Sequence, residues 1–413
     1  MKNLFSAFLI ISKFYILTFI FTSCAQHSSS KSKKDFPLIQ DSKELIVAAN
    51  RTEKYLPLLR GKNIAIVANQ TSVITTKSSS IHIVDFLHNS KKTNVVKVFA
   101  PEHGFRGKAD AGETVVDGID TKTKLPIISL YGKNKKPSQQ QLKGIDVILF
   151  DIQDVGARFY TYISTLHYVM EACAETKIPV IVLDRPNPNA HIIDGPILEP
   201  EHTSFIGMHP VPVVYGMTIG EYGKMINGEQ WLKNKMHCDL TIIPIKNYTH
   251  TTFYNLPIKP SPNLPNAQSI NLYPSLCFFE GTNISVGRGT NKQFQVIGTP
   301  YTRLKRYSYS FTPKPNEGAK NPKHNTKECY GYNLTKEKQL NELNLYWLID
   351  FYQAHKKYSK QKKFFTPFFT KLAGTQKLQQ QIENGLTEKQ IKKSWKKDLR
   401  TFKKIRKKYL IYD

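Results

Sequence analysis

From Gly61 onward, short apolar runs alternate with stretches of helical period. Residues 64–68, 95–100, 127–130, 147–150, 180–183 and 240–243 read as strands, because they are short, apolar and bounded by polar or turn-forming residues. Between them, 82–87, 160–175 and 218–232 read as helical. The second of these places Ile163, Leu166, Val169, Met170 and Cys173 on one face, the spacing of a helix packed on a core. Strand and helix in alternation predict an α/β fold with a mostly parallel sheet covered on both faces. The dinucleotide fingerprint G-x-G-x-x-G is absent after the first strand, where Asn69-Gln70-Thr71-Ser72 stands, which argues against a nicotinamide cofactor.

Four prolines between 257 and 265 mark a hinge or domain boundary. Beyond them the period is less regular, with a basic insertion at 314–327, and helices return after Lys336. A last helix carries Trp395, Leu399, Phe402, Ile405 and Tyr409 on one stripe, while ten basic residues lie between Lys392 and Lys408. Two domains are expected, 45–260 and 261–413, within the 413 residues.

Composition adds a charge and an address. Lys+Arg outnumber Asp+Glu by 59 to 32, a formal net charge of +27, which suits contact with anionic polymers or lipid headgroups. Lys2, an apolar run interrupted by Lys13, and Thr22-Ser23-Cys24 describe a secretory signal at 1–23. A cysteine directly after small residues resembles a lipobox, so Cys24 is expected to be lipidated, with 24–44 as a polar tether. The expected location is the bacterial cell envelope, with the membrane as a partner through the anchor and no nucleic acid. The remaining cysteines, Cys173, Cys238, Cys277 and Cys329, form no C-x-x-C pair, and no His/Asp/Glu set has metal-ligand spacing.

Open parallel sheets place their sites at the carboxyl ends of strands, and four predicted strands here end in polar clusters. Asn69 follows the first. Glu102, His103 and Arg106 follow the second, with Glu113 close behind. Asp151, Asp154, Arg158, Tyr160 and Tyr162 follow the strand at 147–150, and Asp184 and Asn187 the strand at 180–183. Each also has a plain structural role: Glu102 at a helix start, Asp151 and Asp154 as caps, Asp184-Arg185 as an ion pair at a turn. In the second half, Asn263 and the run Glu280-Gly281-Thr282-Asn283-Ile284-Ser285-Val286-Gly287-Arg288 have the composition of a loop that grips a polar ligand.

At these residues the chain resembles the exo-acting β-N-acetylmuramidases of the NamZ type, long catalogued as a domain of unknown function. The matching strings are PEHGFRG (101–107), DIQDVGARFYTYI (151–163), VLDRPNP (182–188), YGMTIGE (215–221), SPNLP (261–265) and FEGTNISVGRGT (279–290). Two departures are Asn189-Ala190-His191 in place of a shorter turn, and Tyr215 where a histidine is expected. The resemblance implies a Rossmann-like domain beside a smaller α+β C-terminal domain, with the active site in the cleft between them. It implies release of terminal MurNAc from the non-reducing end of peptidoglycan fragments, without metal or organic cofactor.

Glycoside cleavage needs a proton donor and a second group at the anomeric carbon. Glu102 is expected to be the acid/base, with Asp154, then Asp151, then Glu113 as candidates for the second role, and His103 beside them. A bidentate arginine is the natural reader of the lactyl carboxylate that distinguishes MurNAc from GlcNAc, with Arg158, Arg106 and Arg288 as candidates in that order. Asn69, Tyr160, Tyr162, Asp184, Asn187, Asn263, Glu280 and Thr282 complete the expected substrate set. Retaining, inverting and substrate-assisted routes all fit the sequence. So do two other function classes, a non-catalytic muropeptide-binding lipoprotein and a hydrolase of another carboxylated or amino sugar.

Overall fold

The computed structural model describes residues 44–75, 79–102, 104–106, 117–359 and 363–413. Cys24, His103 and Glu113 lie outside the described residues. After a short helix α1 (Thr52–Leu59), the chain lays down β1 (Asn63–Ala68), a hairpin β2 (Val73–Thr75) and β3 (Ser80–His82), helix α2 (Ile83–His88) and β4 (Asn94–Ala100). Then come β5 (Gly118–Ile119), β6 (Pro126–Ser129), α3 (Gln139–Leu142), β7 (Val147–Asp151), α4 (Tyr162–Thr176), β8 (Val180–Leu183), α5 (Ile219–Gly228) and β9 (Leu240–Ile243).

These strands form a seven-stranded sheet in the order β5-β6-β4-β1-β7-β8-β9, parallel throughout except for β5, which pairs antiparallel with β6. Omitting β5, the chain runs outward from β1 through β4 to β6, returns to β7 on the other side of β1, and continues to β9. This is the doubly wound order, with its switch point between β1 and β7. Each expected strand is present within a residue or two. The core strands are apolar because both faces are covered: every residue of β7 and β8 is buried.

Helix α5 begins where expected, with Thr218 and Glu221 forming a reciprocal capping box. It stops at Gly228 instead of running to 232. A Cβ at Gly228 would fall 2.1 Å from the Tyr409 ring, and Gln230 then turns the chain with a φ of 56°.

After the proline segment, α6 (Ala267–Leu276) leads into a smaller three-stranded sheet of β10 (Val296–Thr299), β11 (Tyr309–Phe311) and β12 (Cys329–Asn333), antiparallel in the order β10-β12-β11. Helices α7 (Tyr346–Tyr358), α8 (Phe368–Ala373), α9 (Lys377–Glu383), α10 (Glu388–Ser394) and α11 (Lys396–Lys407) finish the chain. Of the expected final stripe, Leu399, Phe402 and Ile405 lie in α11, Trp395 is its N-cap and Tyr409 follows its end; the Trp395 indole donates to Asp194 at 3.1 Å. Leu399 and Phe402 are buried and Ile405 and Tyr409 half-buried. The four described cysteines are all buried free thiols.

The C-terminal elements are not a separate body, since residues 44–413 pack as one unit. Two buried polar clusters join them to the sheet. Arg158, fully buried, donates from Nη1 to the carbonyls of Pro196 (2.9 Å) and Val211 (2.7 Å), and from Nη2 to those of Leu372 (3.1 Å) and Ala373 (2.7 Å). After β8, Tyr412 donates to Asp184 at 2.7 Å, and the backbone N–H groups of Ile411 and Tyr412 donate to Glu221 at 2.8 and 3.2 Å.

Arg158→Ala removes the side-chain donor from four carbonyls, of which Val211 alone keeps a backbone partner among the described residues, the Leu198 amide at 3.2 Å. It is expected to lower the unfolding free energy by on the order of 4 kcal/mol in urea denaturation, with Arg158→Lys restoring only part because an ammonium cannot reproduce the planar fork.

Candidate active site

A cavity of about 710 Å³ opens where the carboxyl ends of the sheet strands meet the C-terminal domain, a size usual for small-molecule sites. Glu102, immediately after β4, stands in its wall. One carboxylate oxygen accepts from the Tyr131 hydroxyl at 3.0 Å and the other from the Thr161 hydroxyl at 2.8 Å. Tyr131 follows β6, and Thr161 lies after β7 at the start of α4. Three strand ends therefore fix one carboxylate from both sides, leaving its orientation little freedom.

The opposite wall comes from the second half of the chain. Tyr160 lines the cavity and donates to the Pro260 carbonyl at 2.7 Å, which holds the proline segment against the sheet domain. Asn263 lines it too, donating to the Gly318 carbonyl at 2.5 Å. Its Oδ1 is buried and has no hydrogen-bond partner among the described residues. Glu280 and Arg288 complete the polar lining. Arg288 Nε donates to both Glu280 oxygens at 3.1 and 3.2 Å, and the guanidinium lies over the Phe294 ring, 5.0 Å from its centroid. Those contacts use Nε and the flat face, so the two terminal nitrogens have no hydrogen-bond partner among the described residues. Lys323, which also lines the cavity, ties the Glu280 loop by donating to the carbonyls of Phe279 (3.1 Å), Thr282 (2.5 Å) and Ile284 (3.1 Å).

Several expected site residues are placed elsewhere, each for an identifiable reason. Asp151 does not reach the cavity: Arg185 grips it through Nε at 2.6 Å and Nη2 at 2.8 Å, and both side chains are buried. The ion pair expected between Asp184 and Arg185 is thus made between Asp151 and Arg185. Asp154 is 2% exposed and is also absent from the cavity wall. Burial pushes its carboxyl up to about 6, against the lowering effect of the Tyr215 hydroxyl and the Gly156 amide that bond to it. The tyrosine that departs from the family's histidine is thus a buried partner of this aspartate.

Arg158, the first-choice reader of a carboxylate, is committed to its four carbonyls, and burial pulls its pKa down to about 9. Arg106 is occupied by Asp85 and Asp120 at 3.1 and 2.8 Å. Burial opposes ionisation of Asp120, but the Arg106 and Thr123 donors outweigh it and hold that carboxyl at about 2.

Asn69, fully buried, closes the turn after β1 by accepting from the Thr71 amide at 2.9 Å. Asn187 accepts from the Asn189 amide at 2.8 Å and donates to Met217 at 2.8 Å. Gly156 sits against it, with a φ of 76° and space for no Cβ: one would fall 2.3 Å from the Asn187 amide oxygen. Tyr162 is buried behind the wall, its hydroxyl 3.4 Å from the Glu102 carbonyl. Thr282 is spent on the Phe279 carbonyl at 2.9 Å. The cavity thus gathers Glu102, Tyr160, Asn263, Glu280 and Arg288 from the expected set. Tyr131 and Thr161 are additions. The sequence signal for Tyr131 was its place one residue beyond a predicted strand, the criterion that picked out Glu102.

A sheet-end cleft with two carboxylates, one steered by hydroxyls and one by an arginine, marks an α/β enzyme equipped for acid–base work on a polar substrate. The chain belongs to the NamZ family. The description "Exo-beta-N-acetylmuramidase NamZ, N-terminal" matches residues 64–268, and the corresponding C-terminal description matches 271–412. It is 41% identical over 380 residues to the peptidoglycan β-N-acetylmuramidase NamZ of Bacillus subtilis (strain 168), covering 87% of this chain and 89% of that one. Among solved structures, a DUF1343 family protein of Bacteroides fragilis superposes with a TM-score of 0.81 at 45% identity, covering 90% of this chain and 99% of the other. A second from the same organism gives 0.76 at 26% identity, covering 89% and 99%.

Asp184 is fully buried, and burial raises its carboxyl to about 7 despite the Tyr412 and Thr218 hydroxyls that bond to it. With the folded pKa above the unfolded value, its contribution to stability is complete below about pH 4 and lost as pH rises through about 7. Asp184→Asn should remove that loss, so thermal melting of variant and wild type should shift in the variant's favour by a few degrees across this window. A constant difference at every pH would disprove the assignment.

Proposed function

We propose that this protein is an exo-acting β-N-acetylmuramidase that releases terminal MurNAc from the non-reducing end of peptidoglycan fragments, with Glu102 as the acid that protonates the leaving oxygen. The observation that carries the assignment of Glu102 is its placement: a carboxylate in the wall of the sheet-end cavity, each oxygen steered by a hydroxyl from a neighbouring strand end. Family membership supplies the reaction class.

Within the cavity Glu280 is the second carboxyl group, and Arg288 pairs with it and directs it. It is placed to stabilise positive charge developing at the anomeric centre, or to orient the substrate's own 2-acetamido group while that group attacks. Arg288, with its terminal nitrogens unpaired, reads the lactyl carboxylate through a two-pronged contact. Tyr160 and Asn263 contact sugar hydroxyls. The chain is exported and lipid-anchored at Cys24, a reading supported by the basic and apolar start and by the small residues before that cysteine.

The decisive experiment measures release from a chromogenic β-MurNAc glycoside by protein lacking residues 1–24, beside Glu102→Gln. The variant should fold normally and lose on the order of a thousandfold or more in kcat; MurNAc binding by wild type without turnover would sink the enzymatic reading. Arg288→Gln should lower kcat for both glycosides, because Glu280 loses its partner, and should raise KM for the MurNAc glycoside at least about tenfold more than for the β-GlcNAc glycoside. An unchanged MurNAc preference would remove Arg288 from the recognition role.

A further inference from the structure

Helix α11 reads KKDLRTFKKIRK. Leu399 and Phe402 bury its inner stripe, while Lys396, Lys397, Arg400, Lys403, Lys404 and Lys407 are exposed. At 3.6 residues per turn those six fall within an arc of roughly 120°, and Asp398, the helix's single acid, lies outside that arc. Among the described residues none of the six has an ion-pair partner.

The fold itself gives little reason for this face. Lys404 and Lys407 in the last turn favour the helix dipole, but Lys396 and Lys397 oppose it at the start. Like charges three and four residues apart repel along the whole arc. The arrangement therefore costs helix stability and returns nothing inside the protein, which is the signature of charge held for an external anion.

The two chain ends locate the surface. Ile46 bridges to Lys246, and Leu45 packs with Ile411 in the Tyr412 cluster. The segment that begins at Cys24 thus joins the fold beside the six residues that follow α11. Nineteen residues lie between Cys24 and Glu44. A chain of that length can reach at most about 65 Å, and a twelve-residue helix is about 18 Å long.

We propose that the outer face of α11 docks on an anionic lipid surface, reading headgroup phosphates through its unpaired lysines and Arg400 and turning the fold toward the bilayer that the tether reaches. The proposal rests on the charge pattern and on the lipid-anchor reading above, not on the catalytic one. Because the face faces away from the core and contributes nothing to the cavity, neutralising it should leave the turnover of a soluble glycoside unchanged.

The test uses protein lacking residues 1–24, sedimented with vesicles of phosphatidylglycerol and phosphatidylethanolamine or with neutral phosphatidylcholine vesicles. Wild type should bind the anionic vesicles only, and lose them at high salt. Lys396→Gln/Lys403→Gln/Lys407→Gln should weaken binding about a hundredfold, whereas Lys91→Gln/Lys92→Gln/Lys143→Gln, with the same change in net charge at other exposed sites, should weaken it less than about tenfold. Glutamine keeps helix propensity and removes repulsion, so the α11 variant should melt no lower than wild type. Equal losses in the two triple variants would overturn the proposal, as would no binding of wild type to anionic vesicles. Capture by soluble polyglutamate without vesicle binding would assign the face to an anionic polymer instead.

Discussion

A single guanidinium decides how the two halves of this molecule face each other. Arg158 sits two residues before Tyr160, in the stretch that runs from β7 into α4. Its acceptors are carbonyls at Pro196 and Val211 on one side and at Leu372 and Ala373, the end of α8, on the other. Among the described residues no carboxylate forms an ion pair with it. The charge is tolerated because carbonyl dipoles surround it, and it is tolerated only while all of those segments stay in place. The cavity inherits this geometry directly: Phe159, Tyr160 and Thr161, next to Arg158, line one wall, and Phe368 and Leu372 of α8 line another. Moving either wall would pull the guanidinium and its carbonyl acceptors apart.

The centre of the sheet was legible because β1, β7 and β8 are buried on both faces, so each is a short apolar run. Their carboxyl ends were legible as well, since polar residues in such positions must bond to one another or face a ligand. Composition alone did not separate those two fates. Asp151 and Glu102 both follow strands, yet Asp151 is neutralised by Arg185 from the neighbouring strand end and Glu102 is left at a surface. The discriminating partner comes from a separate segment in each case, 34 residues away for Asp151 and 59 for the Thr161 bond to Glu102. The same holds for the arginines. Arg158, Arg106 and Arg288 have equal chemistry, and only tertiary placement spends the first on carbonyls, the second on Asp85 and Asp120, and leaves the third with open nitrogens. The short strands β10–β12 went unforeseen because their alternation is broken by glycines at 298 and 331, which face each other across the pair.

The cavity is built so that its two carboxylates are held differently. Glu102 accepts from the Tyr131 and Thr161 hydroxyls, whereas Glu280 is paired with the Arg288 guanidinium. How each carboxylate is oriented is set by its neighbours and not by the residue type.

The clamp and the C-terminal contacts also set an order of events in synthesis. The bonds from Arg158 to α8 span 214 and 215 residues, and the Tyr412–Asp184 bond spans 228. A ribosome delivers the chain from the N-terminus, so Asp184 can already meet the Thr218 hydroxyl and the Gly220 and Arg185 amides, and Arg158 the Pro196 and Val211 carbonyls, within the sheet half. The bonds that complete both clusters close the longest loops in the polar framework of the described residues, and so carry the largest loop-closure entropy.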